Sequence, residues 1–251
     1  MELIFQILVL FLSVILGGSL YFIFKPEKKA WLLLSLAFSG AFLFALCVLE
    51  LIPSLYKLDF ENTGLYILLG FFLQIVLDYF SQGIEHGHIH VQKNHSTWFP
   101  LLLMSGLCVH AFLEGMPLAF DYSSEAGGDA HGHSHSHAFP LLWGIALHHI
   151  PVAFALVSML IKSNVSKITT IIMLVLFAAM SPFGMLTGIS LGDYFLGDKA
   201  GYQIIMALVI GIFLHISTTI LFETGDEHHF NLKKLISIVL GAAVAYFIIV
   251  A

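Results

Sequence analysis

The chain has 251 residues, of which 59% are apolar and only 10% charged, with a formal charge of −6. A soluble domain is about half apolar and about a quarter charged, so this composition excludes a water-soluble globule. All ten basic residues are Lys, and without the planar fork of Arg a nucleic-acid or phosphate-clamping role is disfavoured.

Apolar runs of about 20 residues, each long enough to cross roughly 30 Å of hydrocarbon as a helix, punctuate the sequence. The first, 3–24, follows an opening with no positive segment and contains no small-residue cleavage site. It therefore reads as a retained helix rather than a signal peptide. The second, 31–55, carries Glu50 three residues before Pro53. That carboxylate reads either as a gating or entrance group or as a residue near the outer interface. The third, 64–84, places Gln74, Asp78 and Gln82 at four-residue spacing, a polar stripe directed at the bundle interior. Packing or a proton-accessible face would each account for it. Further spans are expected at 98–120, 139–161, 168–191, 202–222 and 232–250. The sixth holds Ser181-Pro182, and the seventh repeats the four-residue spacing with His215, Thr219 and Glu223. Cys47 and Cys108 both lie in apolar runs, so neither belongs to a disulfide framework.

The expected fold is an all-α, polytopic integral membrane helix bundle of eight transmembrane helices, one domain over 1–251. Lys residues set its orientation. The odd-numbered loops hold Lys25, Lys28, Lys29, Lys93, Lys162, Lys167, Lys233 and Lys234, the even-numbered ones Lys57 and Lys199. Odd loops are thus cytoplasmic and both termini extracytoplasmic, as in a protein of the inner or plasma membrane.

Fourteen His are a high share for such a chain. His86, His88 and His90, with His95 just beyond, fall in the third loop. His131, His133, His135 and His137 fall in the fourth. Imidazoles alternating with small residues suit labile capture of Zn²⁺, Ni²⁺ or Cu²⁺, although a solvated polar loop would look the same.

Ionisable groups inside the bilayer cost about 2.5–3.5 kcal/mol each at the helix centre, so they mark function. In the fourth span His110 and Glu114 are four apart, which puts imidazole and carboxylate on one face. Pro117 has no amide hydrogen, so the carbonyl of Leu113 should lose its donor and the helix can bend. The fifth span repeats the device with His148-His149-Ile150-Pro151. Adjacent His residues lie about 100° apart around a helix, so only one of the two is expected to face His110. A set of two His and one Glu is ordinary zinc or iron(II) chemistry.

These motifs together resemble the ZIP (Zrt/Irt-like) family of divalent metal transporters. His110-Ala111-Phe112-Leu113-Glu114-Gly115 is similar to its fourth-span signature, and His148-His149-Ile150-Pro151 to its fifth. Leu49-Glu50-Leu51-Ile52-Pro53 resembles the second-span motif, and the segment from Phe213 to Thr219 the seventh. The resemblance implies a transport site on spans four and five, with His110, Glu114 and His148 as primary ligands and His149 beside them. It also implies one group of helices sliding on a scaffold, an elevator-type movement that delivers dications to the cytoplasm. Ala111, Val152 and Ser181 stand where the family often has polar or acidic residues. A second metal position is thereby reduced to His149 and Ser181, and a single ion is expected. Few carboxylates and several imidazoles favour Zn²⁺ over Mn²⁺ or Mg²⁺. Glu50, Ser181, His215 and Glu223 are the accessory or gating candidates.

The reading is a zinc transporter, with Fe²⁺, Mn²⁺ and Cd²⁺ as other candidate cargoes and no catalytic cofactor. Its expected partners are the ion and the lipid bilayer, with a homodimer left open and nucleic acid excluded. The rival readings are a metal efflux carrier, a membrane metal sensor and an intramembrane metallohydrolase. The last is disfavoured because no H-E-x-x-H motif occurs.

Overall fold

With no water in the hydrocarbon to satisfy amides, each apolar run must close its hydrogen bonds within itself, and each becomes a helix. A computed structural model describes residues 2–23, 29–58, 61–86, 98–119, 138–195, 199–222 and 232–250. Its α-helices are α1 (Glu2–Ile23), α2 (Lys29–Leu46), α3 (Ile52–Tyr56), α4 (Thr63–Ser81) and α5 (Phe99–Gly115). They continue with α6 (Ala138–Lys162), α7 (Lys167–Phe195), α8 (Lys199–Phe222) and α9 (Leu232–Val250). Among the described residues, seven segments are long and apolar enough to cross a membrane, and Pro100–Gly115 is a shorter apolar one. The bundle is all-α, and the expected runs fall on its helices.

The second span is not one uniform helix. Between α2 and α3 a π-helical turn, Cys47–Leu51, closes with the Ile52 amide donating to the Cys47 carbonyl. Pro53 lacks the N–H that the Leu49 carbonyl would otherwise receive, so the ladder loosens by one residue just before it. Glu50 rides on this turn and is half-buried.

The helices associate in two sets. In one, α1 packs on α6 and α7, and α5 packs closely on α7. In the other, α4 packs on α8, and α2 on both α9 and α8. The principal contacts between sets are α2 on α6 and α4 on α5. Small residues allow the closest approaches, as membrane helices require. A Cβ on Gly184 of α7 would overlap the Phe112 carbonyl of α5, and one on Gly70 of α4 would overlap the Leu208 carbonyl of α8. Helix α6 is central, with 83% of its crossing window buried, whereas α9 has 11% and presents its sides outward.

Candidate metal centre

Four ionisable side chains converge where α5 meets α6. His110 and Glu114, one turn apart on α5, approach with Nε2 3.0 Å from Oε1. The other carboxylate oxygen, Oε2, lies 3.0 Å from Nε2 of His149 on α6. Glu114 is therefore clamped by two imidazoles from two helices, one on each oxygen. The ring of His148 stands edge-on to that of His110, with centroids 6.3 Å apart. All four side chains are buried, none more than 1% exposed. The ring of His149 also leans on Phe177 of α7, at 5.4 Å between centroids.

Both adjacent His residues thus reach the centre, where only one was expected. From positions about 100° apart on α6, His149 reaches Glu114 and His148 reaches the ring of His110.

The local backbone departs from expectation at Pro117. The Leu113 carbonyl is not left free, because the Met116 amide donates to it at 3.3 Å. Helix α5 is interrupted after Gly115 by a turn at Met116 and Pro117, helical backbone resumes at Leu118 and Ala119, and the tightened final turn takes up the carbonyl that Pro117 cannot serve. Met116, Pro117, Leu118 and Ala119 are all buried beyond that end. Irregular backbone at membrane depth is tolerated there because protein, not lipid, surrounds it. A Cβ on Gly115 would overlap the Ser181 carbonyl, so α7 presses directly on the turn after Glu114. Pro151 and Pro182, by contrast, sit inside continuous helices.

The accessory candidates are differently placed. The Ser181 hydroxyl donates to the Ala111 carbonyl at 2.9 Å, which ties α7 to α5 directly beside His110. His215 on α8 lies edge-on to Phe71 of α4, with centroids 4.9 Å apart. Its carbonyl accepts from the Thr219 hydroxyl at 2.9 Å. Glu223, His88, His90, His95, His131, His133, His135 and His137 fall outside the described residues. His86 ends a short 3₁₀ turn, Ile84–His86.

The stripe on α4 holds for two of its three members. Gln74 is fully buried and Asp78 half-buried, but Gln82 is exposed. Helix α4 stops at Ser81, and Gln82 takes a left-handed conformation (φ 56°), its amide donating to the Asp78 carbonyl. The fourfold spacing is therefore broken where the helix is. Gly83 follows with φ 69°, and this double turn sends Ile84 and Glu85 back into the bundle, where both are fully buried. The Gln74 amide nitrogen donates to Glu85. Sequence reasoning missed Glu85, which looks like the first residue of a polar loop. The available signal was Ile84, an apolar residue between a turn and the His string.

Among the described residues no three His, Cys, Asp or Glu side chains form a ready-made metal shell. The Glu114 carboxylate accepts a hydrogen bond from His149, while its other oxygen and the Nε2 of His110, 3.0 Å apart, are without a hydrogen-bond partner. The centre's buried side chains offer imidazole nitrogen and carboxylate oxygen, donor types that divalent transition metals take.

The profile of the ZIP zinc transporter family matches residues 99–249, more than half of the chain and all of the helices that carry this centre. The chain belongs to the ZIP zinc transporter family. No curated protein matches it in sequence. Membership makes this ZIP protein an integral membrane transporter of divalent metal ions, a family of carriers rather than enzymes.

Proposed function

We propose that this ZIP protein carries Zn²⁺ into the cytoplasm, with His110, Glu114, His149 and His148 as the ligand set of a single transported ion. The observation that carries this reading is the clamping of one fully buried carboxylate by imidazoles from two helices. An ionised carboxylate only accepts hydrogen bonds, so the Nε2 of His149 donates to Glu114, while the Nε2 of His110 stands 3.0 Å from the other oxygen without a hydrogen bond. For His149 to become a ligand through Nε2 it must present a lone pair there, which means moving that proton to Nδ1 or releasing it. An arriving ion would thus exchange that hydrogen bond for metal–ligand bonds. The incomplete shell leaves positions for water, which lets the ion leave again.

The division of the bundle supports an elevator-like alternating-access movement. Helices α1, α5, α6 and α7 form one packed set that contains all four ligands, and α2, α4, α8 and α9 form the other. Sliding the first against the second would carry the site as a unit, with the Ser181 tie and the Gly184 contact keeping α5 fixed to α7. Lys residues place odd loops inside, so His131–His137 would gather ions outside and His86, His88 and His90 receive them within. Glu50, on the π-helical turn of the second span, is proposed as an entrance or gating carboxylate. His215 and Glu223 are proposed as accessory groups on the path through the other set.

The test is zinc flux into proteoliposomes loaded with a zinc-sensitive dye, with the His110→Ala/Glu114→Ala protein as control. Saturable influx that disappears in the double variant is expected. Absence of influx, or influx untouched by the substitutions, would overturn the reading and reopen the sensor alternative.

A further inference from the structure

A histidine that binds a metal through one ring nitrogen ordinarily donates the other N–H to a carboxylate, a carbonyl or water, and that outer hydrogen bond fixes the plane of the ring. His149 is held differently. It meets Glu114 through Nε2 at 3.0 Å. Its Nδ1 is buried and has no hydrogen-bond partner among the described residues. What the ring meets on α7 is the ring of Phe177, itself 0% exposed, with centroids 5.4 Å apart and planes inclined by 57°.

Phe177 belongs to a larger contact. Ser181 follows it by four residues, which puts both on one face of α7. The Ser181 hydroxyl donates to the Ala111 carbonyl beside His110, and its carbonyl lies against Gly115, just after Glu114. Gly184 brings α7 against the Phe112 carbonyl. Helix α7 is thereby fixed to α5 at three points around His110 and Glu114, whereas it touches α6 over a much shorter stretch. Two successive turns of α7 thus serve the centre. One fixes the backbone that carries two of the ligands, and the other bears on the ring of a third. A tilted pair of rings at this distance is attractive and depends on their mutual orientation. An aliphatic side chain would fill the same space without preferring one ring plane.

We infer that Phe177 is a positioning residue for zinc binding: its ring takes the place of an outer hydrogen bond and holds the plane of His149, so that Nε2 stays aimed at the position beside Glu114. Packing fixes the plane without fixing which ring nitrogen carries the proton. The same unturned ring can therefore donate through Nε2 or, with the proton on Nδ1, present a lone pair there. The inference rests on the transport reading for the identity of the ion, but not for the holding of the ring.

Two measurements test it. In dye-loaded proteoliposomes Phe177→Leu should raise the half-saturating zinc concentration roughly three- to five-fold, the strength of one aromatic pair, with the maximal rate little changed. In a His149→Ala background the same substitution should leave that concentration within about two-fold, because its effect runs through the ring it holds. A Phe177 that only fills the core would lower the melting temperature in detergent without moving the half-saturating concentration, or would act alike with and without His149. Either result overturns the inference. The ring itself is read by NMR in metal-free, detergent-solubilised protein with ¹³C-labelled histidine, the His149 signal being the one lost in His149→Ala. Phe177→Leu should shift and broaden that signal as the ring samples other planes, and an unmoved signal overturns the inference. Phe177→Met serves for both measurements where the leucine variant does not fold. If the unsubstituted protein shows no saturable influx, the transport reading fails instead, while the His149 signal still decides whether Phe177 holds the ring.

Discussion

The two buried polar centres sit on neighbouring helices yet are built on different plans. At the α5–α6 centre every group lies on a regular helix, and one carboxylate serves two imidazoles. At the α4 centre the carboxylate comes from a turn that folds back into the bundle, and its identified donor is a neutral amide. Both retain buried polar atoms without a hydrogen-bond partner, Glu114 Oε1 and His110 Nε2 at the first and the Gln74 side-chain oxygen at the second. The contrast teaches that a buried carboxylate can be approached by ionisable rings from two helices or by a neutral amide from the helix its own turn follows.

The largest expected effect breaks the frame of the first centre rather than its ligands. Gly184→Val would drive a branched side chain into the Phe112 backbone of α5, which no rotamer relieves. Overpacking of this kind costs about 3 kcal/mol or more when backbone must move. The variant should fail to give a monodisperse, thermally cooperative protein in detergent. The corresponding change at an open, lipid-facing position such as Leu68 should be tolerated.

A sharper comparison sets the two adjacent histidines against each other. His149 holds Glu114 directly, while His148 faces the ring of His110. His149→Ala should raise the half-saturating zinc concentration by at least about ten-fold, equivalent to about 1.4 kcal/mol. His148→Ala should raise it less. Equal effects in a flux titration would mean that the ion-bound arrangement recruits both rings alike.

The smallest effect is expected at Ser181. Ser181→Ala removes the tie to the Ala111 carbonyl and should cost about 1 kcal/mol of stability, visible as a lower melting temperature. Zinc affinity should remain within two-fold, roughly 0.4 kcal/mol, because the hydroxyl is engaged by backbone and not by the centre. A large loss of affinity would instead return Ser181 to the ligand set.

Which parts were legible follows from the same contrast. Apolar runs gave the spans because hydrocarbon forces long helical segments, and the i,i+4 spacing of His110 and Glu114 gave one face of α5. Features that depend on how two helices cross were not readable from either helix alone. His148 and His149 were expected to diverge, yet one meets the ring of His110 and the other meets Glu114. The break in α5 falls where Pro117 led it to be expected, but Pro117 signals a lost donor and not the Met116 amide that replaces it. Glu85 was least legible. Its burial depends on Gln82 adopting a left-handed conformation, which a Gln does not announce, and on a seam between helix sets that exists only in the folded bundle.

The central claim is that Glu114 acts as a ligand and not merely as a group held between His110 and His149. Glu114→Gln tests it most directly, since the amide preserves the shape of the side chain while removing the charge. In proteoliposomes of assayed orientation, saturable zinc influx should vanish while the protein stays folded with a little-changed melting temperature. Influx retained at the level of the unsubstituted protein would contradict the account, leaving the His110–Glu114–His149 cluster as a structural clamp.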